Sequence, residues 1–291
     1  MNISHISNKN DLPVVTVVMP VLNGGEYLQL AVQSIVAQTF RDWELLILDD
    51  GSTDGAIDAF LNHSDHRINL IRDSENKGLS ARLNQAIDMA RGRYLARMDH
   101  DDVSHPDRLA QQVAFLEGHT DVDLVATKCV TINEIHRLLG TLPFAMLHQK
   151  ICSRPWMGFP MPHPSWMGRV SWFRRHYYQE PAPYCCEDNE LLLRAYKTSC
   201  YHAIEPVLLA YRVRTYPSWQ KMWRTRKAMA AVQINFFVEQ GSIRFAALSC
   251  LVALLRVARD LWWVTLSRAG LSTTENDKLA GSVEWIEKIR L

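Results

Sequence analysis

The fold of this chain is decided by Tyr94-Leu95-Ala96-Arg97-Met98-Asp99-His100-Asp101-Asp102, in which an apolar, strand-like stretch runs into three carboxylates. An earlier stretch has the same layout, Glu44-Leu45-Leu46-Ile47-Leu48-Asp49-Asp50-Gly51-Ser52-Thr53-Asp54. Two buried strands that end in acidic residues deliver those residues to one edge of a sheet. The pattern predicts a single site for a cation and a polar, phosphorylated ligand.

The first half of the chain alternates between strand and helix patterns. Strands are predicted over 14–19, 44–48, 68–71, 94–98 and 123–127, and helices over 25–38, 54–61, 80–90 and 106–116, with Asn23 as the first helix cap and Pro106 at a helix start. This order favours an α/β fold with a mostly parallel sheet and helices on both faces.

The second half is less regular. Helices are predicted over 187–196, 219–239 and 244–267 with a short one near Val283, and a strand over 206–212. The apolar run at 245–255 is too short to cross a bilayer, and Arg256 and Arg259 follow it. Either an interfacial helix on a membrane or a helix packed on the main domain is consistent with this pattern.

Composition excludes several classes of protein. The 291 residues carry 32 basic and 31 acidic side chains, so no positive excess points to nucleic acid. The residues before Pro13 contain no apolar run, so no signal peptide is expected. The six scattered cysteines indicate a reduced, cytoplasmic protein, and the adjacent pair Cys185-Cys186 is predicted to be two buried thiols.

The acidic residues after Met98 suit a divalent metal. Carboxylates within four residues repel one another unless a cation or hydrogen-bond donors offset the charge. Hard oxygen ligands at a strand end suit Mg²⁺ or Mn²⁺, which also bind ligand phosphates. A solvated acidic loop is the structural alternative for this stretch. For the earlier stretch, 49–54, the alternative is an ordinary turn in which Ser52 or Thr53 caps the next helix.

Six ordered motifs resemble family 2 glycosyltransferases, which have the nucleotide-sugar-binding GT-A fold. They cover about residues 14–212 and are specific only in combination: Val17-Val18-Met19-Pro20-Val21-Leu22-Asn23-Gly24, Ser34-Ile35-Val36-Ala37-Gln38-Thr39-Phe40, Leu48-Asp49-Asp50-Gly51-Ser52-Thr53-Asp54, Asn76-Lys77-Gly78-Leu79-Ser80-Ala81-Arg82-Leu83-Asn84, Met98-Asp99-His100-Asp101-Asp102 and Glu187-Asp188-Asn189-Glu190-Leu191-Leu192-Leu193-Arg194.

The resemblance implies a role for each matching residue. Asp188 would be the catalytic base, and Asp99 and Asp101 would hold Mn²⁺ or Mg²⁺. On the acceptor side it implies His163, Glu187 and Trp166, although core packing is the ordinary role of such a tryptophan. Donor-binding residues would be Pro20, Val21, Asn23, Asp50, Ser52, Lys77, Arg82, Asp99 and His100.

The resemblance further implies a GT-A domain over 13–215 and a C-terminal helical region over 216–291. The expected reaction is inverting, non-processive transfer of a sugar from a UDP-sugar to a hydroxyl acceptor in surface polysaccharide or lipopolysaccharide biosynthesis. The partners would be the nucleotide sugar and a glycan or lipid-linked acceptor, with peripheral contact at the inner face of a membrane. A catalytically inactive nucleotide-sugar-binding or membrane scaffold protein is the alternative.

Overall fold

The computed structural model describes residues 12–61, 63–213, 219–268 and 285–286. The strands are β1 (Val15–Val21), β2 (Trp43–Asp50), β3 (Ile68–Asp73), β4 (Tyr94–Arg97), β5 (Val103–Ser104), β6 (Leu124–Ile132), β7 (Leu138–Thr141), β8 (Met167–Arg169) and β9 (Tyr201–Arg212). The helices are α1 (Tyr27–Val36), α2 (Leu79–Met89), α3 (Arg108–Gly118), α4 (His148–Ile151), α5 (Val170–Phe173), α6 (Glu187–Ala195), α7 (Trp219–Glu239) and α8 (Ile243–Arg268).

The described strands form one mixed sheet in the order β3-β2-β1-β4-β8-β6-β9-β5, with β7 paired to β6. Strands β3, β2, β1 and β4 are parallel, whereas β8 is antiparallel to both of its neighbours, β4 and β6. The α/β fold class with helices on both faces is confirmed. The carboxyl ends of β1, β2 and β4 share one edge, and the acidic stretches follow two of these ends.

Helices cover both faces of the sheet, and β1 and β2 are therefore buried along their whole length. On one face, Val15, Val17 and Met19 pack with apolar residues of α1 and α3. On the opposite face, Val18 and Leu95 pack with apolar residues of α2 and α6. Alternate residues of a strand point to opposite faces, so such a sheet needs continuous apolar strands.

Local contacts changed several predicted boundaries. The helix predicted over 54–61 is a short 3₁₀ turn at Ala56–Phe60, which follows Gly55 in a left-handed conformation. Helix α3 starts at Arg108 instead of Pro106, whose carbonyl accepts a hydrogen bond from the Thr39 N–H. Strand β9 is longer than predicted, and its register against β6 shifts near Pro206, which has no N–H to donate.

The predicted C-terminal helices are confirmed as the hairpin α7–α8. Phe237 and Ala246 on its inner side pack with Leu193 of α6 and beside Trp156. Within the described residues, no helix is long and apolar enough to cross a membrane. The short helix predicted near Val283 falls outside the described residues apart from 285–286.

The prediction of two buried thiols is half wrong. Cys186 is buried at the start of α6, but Cys185 is exposed and has a positive φ of 49°. The left-handed backbone at Cys185 turns its side chain away from the helix that buries its neighbour.

Candidate active site

The loops that follow β1 and β2 are tied together at the edge of the sheet. Pro20 and Val21 pair with Leu48 and Asp49. The Asn23 N–H donates to Ser52 Oγ at 2.9 Å, and Asn23 Oδ1 accepts from the Thr53 N–H at 2.9 Å. The prediction that Asn23 caps the first helix is therefore wrong: α1 begins at Tyr27, and the Asn23 side chain holds the loop after β2.

Asp50 is a buried carboxylate with three donors. Its oxygens accept hydrogen bonds from the backbone N–H groups of Lys77 (2.7 Å) and Gly78 (3.0 Å) and from Nε of Arg82 (2.8 Å). The Lys77 ammonium itself pairs with Asp73 at 2.5 Å. Seven of the predicted donor-binding residues thus lie around one edge of the sheet: Pro20, Val21, Asn23, Asp50, Ser52, Lys77 and Arg82. Lys77 contributes its backbone N–H to Asp50.

Arg82 has no exposed surface, and its guanidinium donates hydrogen bonds to other residues of the protein. Besides Asp50 it donates to Asp73 (3.1 Å), to Gln85 (2.9 Å) and to the Glu75 carbonyl (2.6 Å). Each guanidinium nitrogen of Arg82 is thus engaged by the protein, and Arg82 holds the Asp50 carboxylate at the predicted donor side.

The acidic loop, defined as residues 99–102, follows β4. Asp99 pairs with Nη2 of Arg97 at 2.5 Å, and Asp101 and His100 are half-buried. Asp102 is buried, and its Oδ1 accepts from the Arg212 N–H at 2.8 Å, while its Oδ2 has no hydrogen-bond partner among the described residues. Burial and then the Asp99 charge raise the pKa of both Asp101 and Asp102.

The donor set of this loop fits a shared metal ion. Within the described part of the chain, no three His, Cys, Asp or Glu side chains are placed to hold an ion by themselves. Mg²⁺ is commonly bound by one or two carboxylates together with water and ligand phosphates. Asp99 and Asp101 could supply those carboxylates, with the remaining oxygens coming from a ligand.

Asp188 lies in the first turn of α6 and opens on a separate cavity. Burial, followed by the neighbouring Glu187 charge, raises the pKa of Asp188. One Asp188 oxygen accepts from the Asn189 N–H at 2.7 Å. The cavity, about 240 Å³, is lined by Leu142, Pro143, Phe159, Pro160, Met161, Pro162, His163, Pro164, Asp188 and Tyr211. A carboxylate with a raised proton affinity therefore faces a pocket with apolar walls.

His163 and Glu187, the predicted acceptor-side residues, lie beside Asp188. The His163 Nε2 is hydrogen-bonded to the Tyr178 hydroxyl at 2.7 Å, and Nδ1 is 3.6 Å from a Glu187 oxygen. Burial, with a smaller contribution from Arg97, lowers the pKa of His163 to about 3, so the ring is neutral at pH 7. Burial also disfavours the charged form of Glu187, which raises the pKa of that carboxyl group.

Trp166 is corrected from an acceptor-side residue to a core residue. It has no exposed surface, its indole N–H donates to the Met161 carbonyl at 3.1 Å, and its ring centroid lies 4.5 Å from that of His163. Because Trp166 is buried, it is not placed to contact an acceptor, and it packs against the His163 ring.

Two residues that the sequence did not single out connect the acidic loop with Asp188. Tyr211 lines the Asp188 cavity, and burial followed by Asp99 and Asp102 raises its pKa. Arg97 is buried; burial opposes its charge, but Asp99, Tyr178 and Glu187 outweigh this and raise its pKa. Arg97 could have been found from the sequence, because it is a charged residue within an apolar strand. No pattern in the sequence near Tyr211 indicates a functional role.

Comparison with known proteins identifies the class. The sequence pattern described as Glycosyl transferase family 2 matches residues 16–177, which include Asp50, Arg82 and the acidic loop but not Asp188. The putative glycosyltransferase EpsE of Bacillus subtilis is 35% identical over 197 residues, covering 65% of this chain and 68% of EpsE. Sheet, acidic loop and sequence agreement together define a glycosyltransferase. The chain belongs to glycosyl transferase family 2, which confirms the family predicted from its motifs.

Solved structures support the GT-A-like fold. TarS from S. aureus in complex with UDP-GlcNAc has a TM-score of 0.60 at 17% identity, covering 76% of this chain and 66% of that one. The mannosyltransferase PcManGT from Pyrobaculum calidifontis, in complex with GDP-Man and Mn²⁺, has a TM-score of 0.56 at 16% identity, covering 97% and 87%. At such identities these similarities establish the fold alone.

Proposed function

We propose that this protein transfers a sugar from a nucleoside-diphosphate sugar to a hydroxyl acceptor with inversion at the anomeric carbon. The observation that carries the proposal is the position of Tyr211, which lines the cavity of Asp188 and directly precedes Arg212. The Arg212 N–H donates to Asp102 at 2.8 Å and its Nε donates to the Asp101 carbonyl at 2.7 Å. An acidic loop suited to a metal and a separate carboxylate therefore address one space. A single displacement needs these two groups on opposite sides of the sugar.

The donor side is proposed to be the sheet edge around Asp50 and the acidic loop. Asp50, held by two backbone N–H groups and Arg82, is placed to receive the base, beside the Pro20–Asn23 loop and Ser52. Asp99, His100 and Asp101 would face the diphosphate. A bound Mn²⁺ or Mg²⁺ would offset the charge that develops on the leaving diphosphate. The UDP-GlcNAc and GDP-Man complexes of the two neighbours support this donor class, and a UDP-sugar is our proposal.

Asp188 is proposed to take the proton from the attacking hydroxyl. Burial raises its pKa, which strengthens it as a base while Arg97 favours the ionised form. A positioned base typically contributes about 10²–10⁴-fold to a rate. The neutral His163 ring, held by Tyr178, leaves Asp188 without a competing cation in hydrogen-bond contact among the described residues.

The acceptor is proposed to be a lipid-linked glycan intermediate of surface polysaccharide or lipopolysaccharide biosynthesis, used one sugar at a time at the cytoplasmic face of a membrane. The support comes from α8, whose outer face exposes Leu251, Leu254, Leu255 and Leu261 at helical spacing. An apolar stripe flanked by arginines is typical of a helix that lies in a membrane interface.

Thermal unfolding with a panel of nucleotide sugars, in Mn²⁺ and in EDTA, tests the proposal. A ligand that binds only the folded protein raises Tm by mass action. We expect a shift with one nucleotide class that is lost in EDTA and in Asp101→Ala. Asp188→Asn should keep the shift and lose transfer by about 10²–10⁴-fold. A donor shift with full transfer in Asp188→Asn would remove that residue as the base, and an absent shift in every condition would favour an inactive scaffold.

A further inference from the structure

A second cleft adjoins the Asp188 cavity and is lined by cations. We call it the basic cleft; it has a volume of about 530 Å³ and lies between the 143–160 segment and the α7–α8 hairpin. Five basic side chains line it: Lys150, Arg154, Arg226, Arg256 and Arg259. The nucleotide-sugar chemistry proposed above does not use any of them.

The positive charge of the basic cleft is only partly offset. Asp260 accepts hydrogen bonds from Arg226 (2.8 Å) and Arg259 (3.1 Å), and it is shared by the two. Arg256 donates to the Met157 carbonyl at 2.6 Å and forms no ion pair within the described residues. Burial, with repulsion from Arg226 and Arg259, lowers the pKa of Arg256.

Lys150 and Arg154 are the two remaining cations that line the cleft. In the part of the chain that the structure describes, neither Lys150 nor Arg154 forms an ion pair, and both are exposed. Five cations set against one carboxylate repel one another, and this repulsion is relieved when an anion binds. The guanidinium fork matches the oxygens of a phosphate group in particular.

The position of the basic cleft relates it to the acceptor. Pro143, Phe159 and Pro160 line both the basic cleft and the Asp188 cavity, so the two spaces share a wall. Asn189, which follows Asp188 on α6, also lines the cleft. A molecule whose hydroxyl reaches Asp188 can therefore extend its other end into the cations.

We infer that the basic cleft binds the phosphate or diphosphate group of the acceptor while Asp188 addresses the hydroxyl of the same molecule. The inference rests on the proposed function, because it assigns the second end of the proposed acceptor. It makes the acceptor a phosphorylated glycan carrier. The class of reaction that supplies this substrate is then the transfer of a sugar phosphate to a carrier alcohol or carrier phosphate.

Calorimetric titration with inorganic pyrophosphate in EDTA tests the inference, since EDTA removes the metal that would draw the anion to the acidic loop. The full chain is compared with Lys150→Gln/Arg154→Gln, whose side chains make no ion pair, and with Arg256→Gln. Arg244→Gln is the matched control, because Arg244 is exposed on the same helix and outside the cleft. We expect both cleft variants to bind pyrophosphate at least tenfold more weakly and the control to bind as the parent does. Equal affinity in all four proteins, or no binding by the parent, would overturn the inference.

Two further measurements complete the test. Vesicle binding distinguishes a lipid headgroup from the phosphate of an acceptor, and donor binding distinguishes a failure of this inference from a failure of the proposed function. Binding to phosphatidylcholine vesicles with and without phosphatidylglycerol should not change in Lys150→Gln/Arg154→Gln. If vesicle binding falls there while pyrophosphate affinity does not, the cleft serves lipid headgroups and the inference is wrong. The Mn²⁺-dependent donor shift in Tm should persist in both cleft variants. If the parent binds pyrophosphate but shows no donor shift in Tm, the proposed function is contradicted, whereas the anion site in the basic cleft is still supported.

Discussion

Arg82 offers the sharpest test of how the donor side is built. Replacing Arg82 by methionine removes, among the residues that the structure describes, the one cation that contacts Asp50, since the remaining donors are the backbone N–H groups of Lys77 and Gly78. Asp73 loses less, because the Lys77 ammonium stays 2.5 Å away. Removing one partner of a buried pair costs about 3–5 kcal/mol, because the other charge is left buried. We expect Arg82→Met to lower the free energy of unfolding by that amount.

Urea unfolding at pH 7, followed by circular dichroism and linear extrapolation, measures this loss. Arg93→Met is the matched control, because Arg93 pairs with Glu117 at the surface and should cost only about 0–1 kcal/mol. In an Asp50→Asn background the cost of Arg82→Met should shrink by about 0.5–3 kcal/mol, which is the coupling energy of the pair. A loss below about 1 kcal/mol in Arg82→Met, or an equal loss in both backgrounds, would refute the reasoning.

Three further outcomes follow from the site. Because Tyr211 lines the cavity of Asp188, we expect its hydroxyl to hydrogen-bond the bound acceptor. Tyr211→Phe should keep the donor-induced shift in Tm and slow transfer by about tenfold, the value of one such hydrogen bond; unchanged transfer would separate Tyr211 from the reaction. The low pKa of His163 gives stability that is present above pH 6.5 and is lost as pH falls toward 3, at about 1.4 kcal/mol per pH unit or less, since the charges of Asp188 and Asp99 oppose the shift. Urea unfolding of His163→Gln between pH 6.5 and 4.5 should show a shallower slope, and a parallel slope would contradict this. Iodoacetamide should label exposed Cys185 and Cys250 in the native protein, but not Cys129 or Cys186, because burial raises the pKa of each of these two to about 12.

Local patterns sufficed for the strands that carry the site. The apolar runs before Asp49 and Asp99 are long enough to specify buried strands, and parallel strands bring their carboxyl ends to one edge whatever lies between them. The start of α6 at Glu187 was also predictable from nearby residues, namely the acidic first turn of the helix and its apolar periodicity. The prediction that Asn23 caps the first helix was wrong, because a short polar side chain can cap a helix or tie a loop equally well, and here it ties the loop after β2.

The sequence by itself therefore determined the strand–helix alternation, the acidic loop and the family, since these depend on residues close together along the chain. Only the tertiary structure decided what those residues do to one another. The insertion of β8 antiparallel between β4 and β6 buries Trp166, and the pairing of β9 with β6 carries Tyr211 to the Asp188 cavity. The basic cleft likewise joins residues of the 143–160 segment to the α7–α8 hairpin. Each of these contacts joins segments far apart in sequence, and the free energy that selects among such pairings comes from packing of the whole core, which no local pattern records.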